Sequence, residues 1–194
     1  MKIIRPPIKQ KMPASAERVF KGVIYDVYHW QQKLYDGKFK TFEKLKKAHD
    51  GVNIIPVTQD KKIIVTYQEQ PGYKAFYGLP GGVIDPGEAP LAAAERELLE
   101  ETGHQAQRFL LWDAIQPYSK IDWAVYTFIA KGCERVADLN LDGGEKIELK
   151  FFAFEQFLKL MGDKSFRDSE VALKILRMRD DEEAMKKLKK IFLE

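Results

Sequence analysis

Cysteine is nearly missing from this chain. Cys133 is the single cysteine among 194 residues, so no internal disulfide can form, and a reducing compartment fits. An excess of one charge is missing too: 32 Lys+Arg against 29 Asp+Glu gives +3, and no basic tract is long enough to hold nucleic acid or an anionic membrane surface. No apolar run approaches the length of a membrane span, and the opening MKIIRPPIKQKMP lacks the apolar core of a signal peptide. These absences predict a soluble, cytoplasmic protein that engages neither nucleic acid nor membrane. What remains is a hydrophobic fraction of 45%, ordinary for a globular protein, in a length that allows one domain with a sizeable core.

The chain is organised around GGVIDPGEAPLAAAERELLEETGH, beginning at Gly81. Pro90 suits the first turn of a helix, the alanines and leucines that follow suit its interior, and Gly103 suits a left-handed cap, which predicts a helix over 90–102. On that helix Glu97, Glu100 and Glu101 stand at i, i+3 and i+4, so their carboxylates share a face and repel one another. Either the face is simply solvated or a cation sits there, with Arg96 and a divalent ion as the candidates. Oxygen ligands without a nearby His or Cys pair favour Mg²⁺, with Mn²⁺ as the alternative.

Gly82, Glu88, Arg96-Glu97-Leu98, Glu100-Glu101 and Gly103 stand at the spacing G-x5-E-x7-R-E-U-x-E-E-x-G-U, where U is a bulky apolar residue. By that motif the chain resembles the Nudix hydrolases. His104 occupies the last U and is the departure, bearing on local packing more than on chemistry. It is expected to be a partly exposed structural histidine. The resemblance implies an α/β (α+β) fold, the Nudix α/β/α sandwich with a mixed sheet flanked by helices. It also implies hydrolysis of a nucleoside diphosphate linked to another moiety, with Mg²⁺ held by Glu97 and Glu101, Glu100 close by, and the Gly81 carbonyl adding an oxygen. Arg96 would pair with a box carboxylate such as Glu88 and hold the loop in place.

Before the motif, residues 1–16 carry Pro6, Pro7 and Pro13 and predict an arm that is flexible or lies on a partner. Residues 17–48 read as an antiparallel ribbon: one long strand over 19–34, a two-residue turn at Asp36-Gly37, and a return over 38–46. Residues 49–194 form the catalytic domain, with strands expected over 52–57, 62–67, 78–84, 109–115, 122–130 and 147–153.

The resemblance is nearest to the ADP-ribose and nucleoside-diphosphate-sugar pyrophosphatases. In that branch an N-terminal sheet pairs two subunits, which implies a homodimer, and helps to bind the nucleoside. Phe42 or Trp30 would then stack on a base and Glu43 would contact it, although both aromatics also suit simple packing. Glu69 stands where that branch commonly carries an arginine, and a glutamate there repels phosphate. Pro117 lies near the branch's proline, and Tyr118 and Lys120 are candidates for ribose or phosphate contact.

In the glycine-rich loop NLDGGEKIE, Glu145 matches the glutamate that activates water or joins the metal, with Glu100 as its rival for general base. A loop of this kind could close over substrate. Toward the C-terminus, apolar residues at helical spacing predict packing helices, with Ser165-x-x-Asp168 as a capping box before 171–178. The last helix has acids at its start and lysines at its end, which complements its dipole.

The leading expectation is cleavage of ADP-ribose or a related nucleoside-diphosphate sugar into two monophosphates. A triphosphate or dinucleotide hydrolase of the same superfamily, or a nucleotide sensor without turnover, remain the alternatives.

Overall fold

The computed structural model describes residues 3–141, 144 and 146–194. Its strands are β1 Glu17–Lys21, β2 Tyr25–Lys33, β3 Phe39–Lys47, β4 Gly51–Thr58, β5 Ile63–Glu69, β6 Phe76–Gly78, β7 His104–Gln105, β8 Arg108–Ile115, β9 Ile121–Asp122, β10 Val125–Arg135 and β11 Lys146–Phe152. Its helices are α1 Pro90–Thr102, α2 Phe154–Leu160, α3 Ser169–Met178 and α4 Glu182–Leu193.

Alternation along β4 divides the interior in two. Val52 and Ile54 join Leu98, Ala93, Tyr126 and Phe128 in a core beneath α1. Ile55 and Val57 join Ile63, Phe157, Ile175 and Phe192 in a second core beneath α2, α3 and α4. Side chains of a strand alternate between faces, so one strand lined with apolar residues on both sides must be covered on both. This is the expected α/β/α sandwich.

The central sheet has the order β11-β5-β4-β10-β7, with β6 on β5 and β8 on β10. β4 and β10 run parallel while β5–β11 and β8–β10 run antiparallel, so the sheet is mixed as expected. A second sheet, β1-β2-β3-β9, holds the ribbon.

The ribbon differs from expectation in two places. The single strand expected over 19–34 is two antiparallel strands, β1 and β2, folded back at Gly22, whose N–H donates to the Tyr25 carbonyl at 3.1 Å. The turn after β2 spans three residues, since Leu34 still pairs with Lys38 and Gly37 sits at φ 83°. A type I turn followed by a left-handed glycine fits that length.

The arm bonds to its own chain. Arg5 donates to Asp50 at 2.7 and 2.9 Å and to Asp122 at 2.8 Å, Lys9 donates to the Pro117 carbonyl at 2.9 Å, and the buried Lys44 donates to the Gln10 carbonyl. Residues 3–16 carry no helix or strand but lie on their own chain.

Two further corrections concern caps and packing. The capping box at Ser165 does not form. Ser165 turns to Asp163 instead, and Asp168, at the N-cap of α3, accepts from the Leu79 N–H at 2.7 Å. His104 is buried, only 5% exposed, with Nδ1 2.7 Å from the Thr102 carbonyl and its ring 6.3 Å from that of Phe151. A hydrogen bond at one edge lets the imidazole serve where an apolar side chain would otherwise pack.

Leu98 is 1% exposed between α1 and the sheet. Leu98→Ala should lower unfolding free energy by about 2–5 kcal/mol in denaturant titration, whereas the partly exposed Leu91→Ala should cost roughly 0.5 kcal/mol or less. Equal losses would show that α1 is not anchored through Leu98.

Candidate active site

Helix α1 begins and ends where the sequence predicts: Pro90 fills its first turn, and Gly103 at φ 67° caps it, donating to the Leu99 carbonyl at 2.8 Å. Ala94 and Leu98 face the sheet, and Glu101 stands at the edge of that apolar stripe. Its carboxylate is therefore drawn inward, to 7% exposure, and accepts from the Gly81 N–H at 3.0 Å. A buried carboxylate needs such a donor to offset the loss of water.

The segment that supplies this donor is not the strand expected over 78–84. β6 ends at Gly78, and the chain continues as a loop alongside β4. The Val52 N–H donates to the Gly82 carbonyl at 2.9 Å and the Ile54 N–H to the Pro80 carbonyl at 2.8 Å, while Gly81 between them turns to Glu101. This strand-like pairing without a regular ladder explains why the segment reads as a strand. Close approach fixes the glycines: a Cβ on Gly82 would lie 2.3 Å from Glu97 Oε1, and one on Gly81 would lie 2.2 Å from the Val52 carbonyl oxygen.

Arg96 joins the loop to the helix. Its Nε and Nη2 reach Glu88 Oε1 and Oε2, each at 3.1 Å, its Nη1 reaches Glu97 at 2.8 Å and Glu100 at 3.1 Å, and its Nη2 also reaches the Val83 carbonyl at 2.9 Å. The expected Arg96–Glu88 pair is present, and the same guanidinium answers the repulsion on the carboxylate face. These bonds raise the Arg96 pKa, with Glu88 the largest cause. In turn, the Arg96 hydrogen bond holds Glu88 below the usual glutamate range, assisted by the Asp85 N–H at 3.0 Å.

A cavity of about 450 Å³ opens beside this face, lined by Gly81, Gly82, Arg96, Glu97, Glu100 and Glu101, together with Val83, Asp85, Asn140 and Leu141. A second, of about 160 Å³, shares Gly81 and Glu101 and continues to Asn53, Gln68, Gln70, Arg167 and Asp168. Burial pushes the Asp168 carboxyl up to about 6, partly offset by the Leu79 N–H. The groups of the first cavity able to ligate a metal are carboxylate, amide and backbone oxygens, with neither His nor Cys in its lining, which suits a hard cation. Among the described residues no three acidic, histidine or cysteine side chains form a ready-made metal cage.

Other candidate residues lie elsewhere. Trp30 is 4% exposed, packs on Phe42 with ring centroids 5.8 Å apart, and donates to Gln32, so its ring belongs to the ribbon's interior. Phe42 sits under Lys120, and Glu43 bonds to His29 at 2.8 Å. None of the three lines either cavity of the single chain. Tyr118 stacks on Trp123 and bonds to Glu170 at 3.2 Å, away from the carboxylates. Glu69 is 4.0 Å from Lys146. Glu145 lies outside the described residues.

Asn140, Arg167 and Asp168 border the site without having been singled out for it. Their signal in sequence is slight, because each enters from a loop whose path depends on tertiary contacts.

Comparison with known proteins places these features in context. The family model described as the NUDIX domain matches residues 47–172. The chain is 30% identical over 165 residues to the ADP-ribose pyrophosphatase of Bacillus subtilis (strain 168), covering 83% of this chain and 88% of that protein. It is 28% identical over 166 residues to the methanol dehydrogenase activator of Bacillus methanolicus, with the same two coverages of 83% and 88%. A crystal structure of ADP compounds hydrolase superposes with a TM-score of 0.71 over 88% of this chain and 94% of that one, at 20% identity, a likeness of fold.

Glu88 has a lowered pKa, so its pairing with Arg96 stabilises the fold fully above the usual glutamate range and is lost as pH falls through the depressed value. Arg96→Met should cost about 2 kcal/mol near pH 7, and the gap from wild type should narrow between roughly pH 5 and pH 3. Urea titrations across that range check it, and a gap independent of pH would sink the assignment.

Proposed function

The chain belongs to the NUDIX hydrolase family, and on that premise we propose that it cleaves the pyrophosphate bond of ADP-ribose or a related nucleoside-diphosphate sugar, releasing two monophosphates. The observation that carries this reading is the cavity wall formed by Glu97, Glu100 and Glu101 against the backbone of Gly81 and Gly82. The Bacillus subtilis relative, spanned over 88% of its length and named as an ADP-ribose pyrophosphatase, supports the choice of substrate.

Glu97 and Glu101, with Glu100 nearby and the Gly81 carbonyl, are the groups that would hold Mg²⁺ or Mn²⁺. When bound, the ion supplies positive charge against the phosphate oxygens and a more acidic water. Mg²⁺ keeps several waters and takes further oxygens from substrate phosphates, so these few protein oxygens would be enough to hold it. Gly82 allows Glu97 to lie against the loop, and the Gly81 N–H orients Glu101. Glu145 takes the water-activating role, with Glu100 as its rival. Arg96 Nη1 donates to one oxygen of Glu97 and one of Glu100, which orients both carboxylates and leaves the second oxygen of Glu100 for the ion or the water.

The ribbon is the proposed subunit contact of a homodimer. Phe20, Val23, Ile24, Tyr35 and Phe39 expose large apolar side chains there, more than a solvated edge requires. Phe42 and Glu43 would then reach substrate from the neighbouring subunit's side, while buried Trp30 would support Phe42. A cytoplasmic location accords with the lone Cys133, whose thiol burial pushes up to about 12, and among the described residues no helix is long and apolar enough to cross a membrane.

With Mg²⁺ present, wild type should convert ADP-ribose to AMP and a sugar phosphate, and Glu101→Gln should slow this on the order of 100-fold or more. Chromatography against a panel of nucleoside-diphosphate sugars, dinucleotides and triphosphates decides the substrate class. Preference for a triphosphate would overturn the proposed class, and a monomer mass by light scattering would overturn the dimer.

A further inference from the structure

Arg167 is the second cation bordering the site, and it is held quite differently from Arg96. It stands just before α3, in a segment bridged to β6: the Tyr77 N–H donates to the Ser165 carbonyl and the Arg167 N–H to the Tyr77 carbonyl, both at 2.8 Å. Its backbone is thus fixed as firmly as that of a sheet residue. The guanidinium lies over two aromatic rings, 4.8 Å from the centroid of Phe76 and 5.2 Å from that of Tyr73. Such stacking restricts an arginine's rotamers while leaving its in-plane N–H donors directed outward.

Those donors are largely unspent. The side-chain hydrogen bond of Arg167 is a long one, 3.3 Å from Nη1 to Gln70 Oε1, and among the described residues it forms no ion pair. Asp168, next in sequence, gives its carboxylate to the Leu79 N–H instead. Arg96 offers the opposite case, with its donors divided among Glu88, Glu97, Glu100 and a carbonyl. A preorganised fork with free donors is suited to a tetrahedral oxyanion.

Its position gives that fork a purpose. Arg167 and Asp168 line the cavity that shares Gly81 and Glu101 with the carboxylate site, alongside the neutral amides of Asn53, Gln68 and Gln70. Beyond Gln70 a third cavity, of about 690 Å³, is lined by Tyr73, Pro71 and Ala75, with Tyr73 64% exposed. An anionic ligand reaching from the acidic wall toward that space passes the Arg167 guanidinium. Glu69 and Lys146 also line the third cavity, 4.0 Å apart, so the lysine there faces a carboxylate of the protein's own.

We propose that Arg167 is a substrate-binding residue that grips a non-bridging phosphate oxygen of the diphosphate from the α3 side of the site. This rests on the proposed hydrolysis of a diphosphate-linked substrate. Gln68, Gln70 and Asn53 line the intervening wall with neutral hydrogen-bonding groups, and the Asp168 carboxyl there is turned to the Leu79 N–H. Because Arg167 acts through charge and a planar fork, lysine should replace it only in part.

The test compares wild type, Arg167→Lys and Arg167→Met by steady-state hydrolysis of ADP-ribose with Mg²⁺, and by calorimetric titration with ADP and with adenosine. In Arg167→Met the KM and the ADP dissociation constant should both rise about tenfold or more, since loss of a charged hydrogen bond is of that size, while kcat stays within roughly threefold. Arg167→Lys should recover part of the loss, and adenosine affinity should be the same in all three proteins. A merely structural role would shift adenosine and ADP alike. An ADP affinity and KM in Arg167→Met within twofold of wild type would overturn the grip while leaving the hydrolase standing. Should wild type cleave no diphosphate sugar, the proposed function fails, and the ADP titration still decides whether Arg167 binds phosphate.

Discussion

The site depends on one guanidinium. Three glutamates at i, i+3 and i+4 on one helix face destabilise one another, and a lysine could relieve only part of that repulsion with a single charged tip. Arg96 spreads its donors over Glu88, Glu97, Glu100 and the Val83 carbonyl, so the cost of gathering the acids is offset by bonds that also fasten the preceding loop. The geometry of the carboxylate face and the course of the glycine loop are therefore one constraint. Moving either would break bonds to the other.

The sheet contributes the second half of that constraint. β4 is apolar on both faces and carries α1 on one side and the C-terminal helices on the other. The loop from Pro80 to Gly82 lies along β4 by backbone bonds, which sets the Gly81 N–H against Glu101. Asp168 ties the start of α3 to Leu79, two residues before Gly81. Elements from both layers thus converge on a short stretch of backbone, and the two cavities meet there because both layers end there.

Legibility from sequence followed the range of the forces involved. Helix α1 was readable to its bounds because Pro90, the alanines and Gly103 act locally, and the Arg96–Glu88 pair followed from the motif. The fold-back at Gly22 was not readable, since Val19 to Leu34 is uniformly rich in strand formers and only a backbone bond to Tyr25 marks the turn. Asp168 read as part of a capping box, but a buried N–H at Leu79 competes for the same carboxylate, and that competitor is distant in sequence. Trp30 suits base stacking and simple packing alike in the sequence, because an aromatic residue in a ribbon has no intrinsic side. Its burial against Phe42 is decided by how the ribbon curls. Arg167 carries only a slight signal: a lone arginine between two short helices gains meaning from the rings of Tyr73 and Phe76 beneath it.

The two arginines divide the electrostatic task in the proposed reaction. The helix presents acids to a substrate that is itself an anion, so contact between them is repulsive unless positive charge lies between. Arg96 cannot provide it, because its donors already serve the protein's own carboxylates. A divalent cation can, and the acids and the phosphates then each favour its binding in the presence of the other, a coupling that is reciprocal by linkage. Such coupling attracts any phosphate-bearing ligand to the wall and discriminates little among them. Discrimination has to come from groups that do not share the cation, at fixed distances along the ligand. The amide of Gln68 on β5, that of Gln70 just past its end, and the stacked guanidinium of Arg167 beside the bridge to β6 would serve that end, since they stand outside the carboxylate helix. In this arrangement the motif helix would set the chemistry, and the strand and loop residues facing it would set what is allowed to react.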